Sequence, residues 1–277
     1  MKKRALFIIF ALYSILASSQ SKRLNVDSLK LVLKTEKNID SIISITHNIA
    51  SNQLYSGKTD VAIQTLHGLL KLSDKNQNED GTGKASLLLG HIYIAYKNKI
   101  DSATLYMDKA IKVFKKTNDH VNLTNAYLNY TNIYNSQSDF EKKLIYSELA
   151  LNSARASKDA RLIHRSYNIL ASYYMSQEKY DMTLKYAQES LKYAQSSGDD
   201  HYIAQSHLSI AQSYSKLLDI PKAHSNFEKS YQLAKQIKSK YLLVALLTSW
   251  ANISDDQQAL DKRLEAQAVL ESSAIGT

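Results

Sequence analysis

Leu89-Gly90-His91-Ile92-Tyr93 decides the fold, because the chain contains it four times. It returns as Tyr130-Thr131-Asn132-Ile133-Tyr134, as Leu170-Ala171-Ser172-Tyr173-Tyr174 and as Ile210-Ala211-Gln212-Ser213-Tyr214. Each copy reads as one large apolar or aromatic residue, one small residue, two variable ones and a tyrosine. The small positions extend outward to Ala50 and Ala251, with spacings of 40, 41, 40, 40 and 40 residues. A second ladder runs through Ala62, Ala103, Lys143, Thr183, Ala223 and Arg263. It trails the first by twelve residues, except at Ala103, which trails Gly90 by thirteen. The extra residue therefore belongs to the turn around Lys97–Ile100, since turns accept insertions and packed helices do not.

Each unit has helical periodicity twice over. Tyr167, Leu170 and Tyr174 follow i, i+3, i+7, and Tyr180, Leu184, Ala187 and Leu191 follow i, i+4, i+7, i+11. Capping residues mark the starts. Asp119, Asp159, Asp199 and Ser239 precede the first helices, and Asp60, Asp101, Asp139 and Asp219 precede the second ones. Pro221, the single proline, sits at a helix start, where its missing N–H costs little. The small ladder lets paired helices approach closely, and one such pair cannot bury its apolar face alone. The expected fold is all-α: a solenoid of about six helix hairpins with a 40-residue period.

At these residues the sequence resembles the tetratricopeptide repeat family. Leu89-Gly90-x-x-Tyr93, Ala103-x-x-x-Met107-x-x-Ala110 and Ala223-x-x-x-Phe227-x-x-Ser230 match its pattern. The resemblance covers roughly residues 42 to 272 and implies a right-handed superhelical solenoid. Two departures stand out: a period of 40 rather than about 34, and no terminal Pro in each unit. Longer helices, chiefly the second of each pair, would account for both. The period together with an export signal also resembles the extracytoplasmic repeat regions of Bacteroidota sensor kinases and regulators.

Composition agrees with the helical reading. Seven Gly and one Pro in 277 residues leave little for the tight turns of a many-stranded sheet. Zero Cys excludes disulfides, thiolate metal sites and cysteine nucleophiles. Residues 1–19 read as a signal peptide: Lys2-Lys3-Arg4, an apolar run from Ala5 to Leu16, then Ala17-Ser18-Ser19. The alternative is an uncleaved anchor. Processing would lower the net charge from +9 to +6, and bases lie scattered among acids. Nucleic acid is therefore not an expected partner. The domain reading is a signal at 1–19, a leading helix and linker at 20–41, and the solenoid at 42–277. The expected localisation is periplasmic or secreted, with no stable membrane span after processing.

The resemblance implies that first helices line a concave groove where a peptide or protein lies. Carried onto this chain, the groove positions are Lys84, Leu87, His91 and Ile94, then Asn125, Leu128, Asn132 and Asn135. Arg165, Asn168, Ser172 and Met175 follow, then Gln205, Leu208, Gln212 and Ser215. Amides dominate, and Asn and Gln both donate and accept, which suits an extended peptide backbone. The alternative is that they are solvated polar positions. The carboxylate clamp of some relatives is not met, because Leu128 and Asn168 stand where it wants Lys. No His, Ser or carboxylate pattern points to a metal, a cofactor or catalysis. Asn76–Gly83 reads as a flexible polar connector lacking the ending of a phosphate loop. Tyr93, Tyr134, Tyr174 and Tyr214 read as core, whereas Tyr55, Tyr96 and Tyr173 are candidate surface anchors. Leu260, Leu264 and Ala268 have the i, i+4, i+8 spacing of a last helix. No capping helix follows it, leaving an apolar edge for a partner or for self-association.

Overall fold

The computed structural model describes residues 26–274, so the signal segment at 1–19 lies outside the described residues. The described chain is helical, joined by turns, with no strand among the described residues. Thirteen helices follow in order: α1 Val26–Thr35, α2 Ile39–Tyr55, α3 Thr59–Lys75, α4 Glu79–Ala95, α5 Ile100–Thr117, α6 His120–Ser136, α7 Phe140–Ser157, α8 Ala160–Ser176, α9 Tyr180–Ser197, α10 Asp200–Lys216, α11 Ile220–Gln236, α12 Lys240–Ala251 and α13 Asp256–Ala274. None of them is long and apolar enough to cross a membrane. The chain divides into two compact units, one ending at Lys99 and one beginning at Ile100.

The division falls at the turn that carries the extra residue. Ten turns contain a residue in the left-handed region: Gly57, Gln77, Asn98, Asn118, Ser138, Lys158, Glu178, Gly198, Leu218 and Lys238. They are 20 apart, except that Gln77 to Asn98 is 21. In most turns the amide after the left-handed residue donates to a carbonyl five residues back: Asn78 to Ser73, Asp139 to Tyr134, Asp219 to Tyr214. After Asn98 the Lys99 amide instead reaches Tyr93, six back, at 2.8 Å. The insertion is absorbed where the two ladders place it. A single left-handed residue also reverses the chain without proline, which explains the missing terminal Pro. The longer period is shared evenly: α2, α4, α6, α8 and α10 have 17 residues and α3, α5, α7, α9 and α11 have 17 or 18. The second helices are not the chief source of the added length.

Both small-residue ladders are interior. Ala50, Ala171, Ala211 and Ala251 are 3% exposed or less, as are Ala62, Ala103, Thr183 and Ala223. Lys143 occupies one rung and is buried, with its Nζ donating to Asn135 Oδ1 at 2.7 Å and burial lowering its pKa. The tyrosine ladders meet in a repeated contact. Tyr134 faces Tyr146 and Tyr174 faces Tyr186, each pair with ring centroids 5.2 Å apart. Burial pushes the Tyr146 hydroxyl up to about 12, with the neighbouring Tyr134 adding to the effect.

Several expectations change. Asn76–Gly83 is not a flexible connector: Glu79 begins α4, and Gly81, Thr82 and Gly83 are buried in it. Asn78 caps that helix by accepting from the Gly81 amide at 2.6 Å. A Cβ at Gly81 would stand 2.4 Å from Ser73 Oγ and 2.6 Å from Ile43 Cγ2, so the glycine permits α2, α3 and α4 to meet. Asp119, Asp139, Asp159, Asp199 and Asp219 cap as expected. Ser239 makes no side-chain cap bond, and Asp60 and Asp101 lie inside the first turns of α3 and α5. Tyr173 is buried at 9% exposure and is no surface anchor, whereas Tyr55 and Tyr96 are exposed.

The sixth repeat departs most. α12 has 12 residues and α13 starts at Asp256, four positions earlier than Tyr180 and Ile220 would predict. Starting early turns α13 about its axis. Ala259 and Ala266 face inward, while Leu260, Leu264, Ala268 and Arg263 are exposed. The stripe of Leu260, Leu264 and Ala268 thus faces outward, and the second ladder ends at Ala223. Trp250 closes this end, stacked on Phe227 at 5.7 Å, with its indole N–H donating to His224 Nδ1 at 2.6 Å. At the other end Leu29 of α1 is buried, as its spacing with Val26 and Leu33 predicts.

Candidate functional site

In the second unit the first helices α6, α8, α10 and α12 occupy equivalent repeat positions, so residues 40 apart present the same face. Three hydrogen bonds join them at or near that spacing. Arg165 Nη1 donates to Asn125 Oδ1 at 3.2 Å, Ser209 Oγ to Asn168 Oδ1 at 3.3 Å, and Gln212 Nε2 to Ser249 Oγ at 2.9 Å. These bonds hold amides that would otherwise sample several rotamers. Asn168 accepts through its oxygen and keeps its NH2 group for donation. Gln212 donates through its NH2 group and keeps its oxygen for acceptance.

Three cavities run along α10 and share walls. The first, about 220 Å³, is lined by Leu128, Asn132, Arg165, Asn168, Tyr202 and Gln205 among others. The second, about 320 Å³, shares Asn168 and Gln205 with it and adds Ser172, Met175, Gln212 and Tyr241. The third, about 650 Å³, shares Met175 and Gln212 with the second and adds Ser215, Lys216, Leu218, Ile220, Phe227 and Ile253. The result is a track of adjoining cavities beside α10, from Leu128 and Asn132 of α6 to Ser249 of α12. Arg165 and Lys216 are the charged residues lining it, and no carboxylate does.

The track brings together Leu128, Asn132, Arg165, Asn168, Met175, Gln205 and Gln212 from the expected groove set. Leu128 contributes as a nearly buried wall at 5% exposure. Asn125 does not line these cavities and acts behind Arg165. Asn135 is engaged by Lys143. In the first unit, Lys84 pairs with Asp80 at 2.8 Å and the His91 ring packs edge-on against Tyr96 at 6.2 Å. Sequence reasoning missed the α12 wall. One further 40-residue step from Gln205, Ser209 and Gln212 lands on Ala245, Ser249 and Asn252, all of which line the track.

Behind the track lies a buried cluster. His164 Nδ1 is 3.2 Å from the Ser190 carbonyl and 2.9 Å from Ser190 Oγ, which lies 3.3 Å from Ser206 Oγ. A carbonyl only accepts, so Nδ1 carries the proton of a neutral imidazole. Burial lowers the His164 pKa, and bonds to Ser190 and Gln205 offset this only in part. Among the described residues no group of three or more His, Asp or Glu side chains is placed to hold a metal.

Residues 162–236 match the family model described as tetratricopeptide repeat. The fold is that of tetratricopeptide repeats. Known structures agree. A STAND signal-transduction ATPase with a tetratricopeptide repeat sensor from Pyrococcus horikoshii superposes with a TM-score of 0.74 at 17% identity, over 91% of this chain and 41% of that one. Aspartyl phosphate phosphatase F from Bacillus subtilis gives 0.66 at 13% identity, over 87% and 63%. NprR in complex with its cognate peptide NprX gives 0.58 at 18% identity, over 91% and 71%. No curated protein matches the sequence. In tetratricopeptide-repeat terms, the track follows the first helices of repeats three to six, and Thr183 of α9 and Ile220 and Phe227 of α11 also line it from second helices.

Proposed function

We propose that this chain is an exported scaffold that binds a peptide or an extended protein segment along α10, by recognition and without chemistry. The observation that carries the reading is the continuity of the three cavities, walled by amides that the repeat places at equivalent positions. A backbone running along the track would meet the Asn168 donor and the Gln212 acceptor, both already oriented. Preorientation lowers the rotamer entropy lost on binding. NprR, a structure of the same fold, holds a peptide, which supports the class of ligand. Export rests on the residue pattern of positions 1–19.

A second reading is a sensory module whose output domain lies on another chain. The repeat sensor of the Pyrococcus horikoshii protein favours it. An adjacent kinase or regulator gene would support this reading. The groove is tested by capturing partners from an envelope extract with the native chain and with Asn132, Asn168 and Gln212 all changed to Ala. The reading expects a partner held by the native chain and lost by the variant. The same partner retained by the variant would sink the groove assignment.

A further inference from the structure

The largest of the three cavities lies where α12 ends short. In α10 the helix continues through Lys216, and the equivalent stretch of the sixth repeat would cover residues 252–256. There α12 has already ended: the Ile253 amide donates to Trp250 O at 3.2 Å, and the chain turns into α13. The uncovered space is lined on its apolar side by Met175, Leu218, Ile220 and Ile253, with the buried Phe227 beneath, and on its polar side by Gln212, Ser215, Lys216, Ser249 and Asn252. Leu218 stands 82% exposed at this rim on a left-handed backbone.

Resting on the groove reading, we propose that this cavity is the specificity pocket of the track. It seats one large apolar side chain of an acidic, extended peptide of about six residues. Three observations commit the occupant. The cavity is continuous with the amide-lined track through Met175 and Gln212, so its contents are part of whatever lies along α10. The track runs from Tyr202 to Lys216, about 21 Å at the helical rise, which an extended chain spans in about six residues. Its lining charges, Arg165 near one end and Lys216 at the other, are both cations without a lining carboxylate, which selects an acidic ligand. The apolar side formed by Met175, Leu218, Ile220 and Ile253 favours an aromatic or large aliphatic side chain over a polar one.

The test is selection of a phage-displayed random seven-residue library on the purified chain, with affinities of selected peptides measured by calorimetry. The expected winners carry net negative charge and one aromatic, Leu or Ile residue. Changing that residue to Ala lowers affinity at least tenfold on the native chain. It changes little on Ile253→Trp or Ser249→Trp, where the cavity is filled. Arg165→Ala weakens acidic peptides and leaves neutral versions unchanged. Winners that are basic, or that bind Ile253→Trp and Ser249→Trp as tightly as the native chain, overturn the pocket. If those peptides still weaken on Asn168→Ala and Gln212→Ala, the groove stands and only the pocket falls. Indifference to all four changes, or no selected peptide at all, overturns both.

Discussion

Arg165 on α8 reaches back to Asn125 on α6, Nη1 to Oδ1 at 3.2 Å, and the two residues occupy the same position in consecutive repeats. A guanidinium on an exposed helix face is held by a neighbour that the 40-residue period supplies. Asn125→Ala is expected to leave the melting temperature nearly unchanged, since an exposed polar pair contributes at most about 1 kcal/mol. It should weaken binding of an acidic ligand severalfold by freeing the Arg165 rotamers. Calorimetry with native and variant chains checks both parts.

The left-handed turn residues carry a cost that glycine would remove. A non-glycine residue there costs about 1 kcal/mol, partly offset by the greater chain entropy that glycine loses on folding. Glu178, at φ 56°, lies away from the track. Glu178→Gly should therefore raise stability by about 0.5 kcal/mol. Gly198, at φ 67°, meets nothing within 4 Å of an added Cβ, so Gly198→Ala adds no clash and reports the left-handed strain less the same chain-entropy offset. It should destabilise by about 0.5 kcal/mol. Urea unfolding midpoints of the two variants should move in opposite directions.

Two helical glycines should answer differently to the same substitution. Gly81→Ala forces Ser73 and Ile43 apart and should cost about 1–3 kcal/mol as overpacking. Gly68 in α3 is exposed, with nothing within 4 Å of an added Cβ. Gly68→Ala should therefore stabilise by about 0.5–1 kcal/mol through helix propensity. Thermal melts of both variants suffice.

Burial lowers the pKa of His47, His164 and His207 below 6.5. As pH falls from 6.5 through each folded value, the unfolded chain binds the proton first. The stability contributed by the neutral ring is lost in that window, so unfolding becomes easier toward acid and stability rises with pH. Chemical unfolding at neutral pH and near pH 5 should show this loss. His164→Gln should reduce it, because that ring is fully buried among Ser190 and Ser206.

Much of this was legible in the sequence. The ladder through Ala171 and Ala211 places paired helices, and the thirteen-residue gap from Gly90 to Ala103 places the turn that holds the extra residue. What escaped was set by non-periodic contacts. Gly81 looks like a loop glycine until Ser73 and Ile43 crowd its Cβ position. Leu260 and Leu264 have helical spacing, but the early end of α12 turns them outward. The family resemblance, carried along the repeat offsets, names amides such as Asn168 and Gln212 that line the cavities beside α10. It does not name Leu218 and Ile253, because the cavity they frame exists only where the repeat is broken.

The most direct test of the central claim is photo-crosslinking from single positions. A photoreactive residue at Ser172, exposed on the track, is compared with one at Lys185, exposed on the α9 side among Glu148, Arg155 and Glu189. With the native chain in envelope extract, the account predicts a discrete crosslinked species from position 172 and none from position 185. A species formed from position 185 alone, or equally from both, would contradict it.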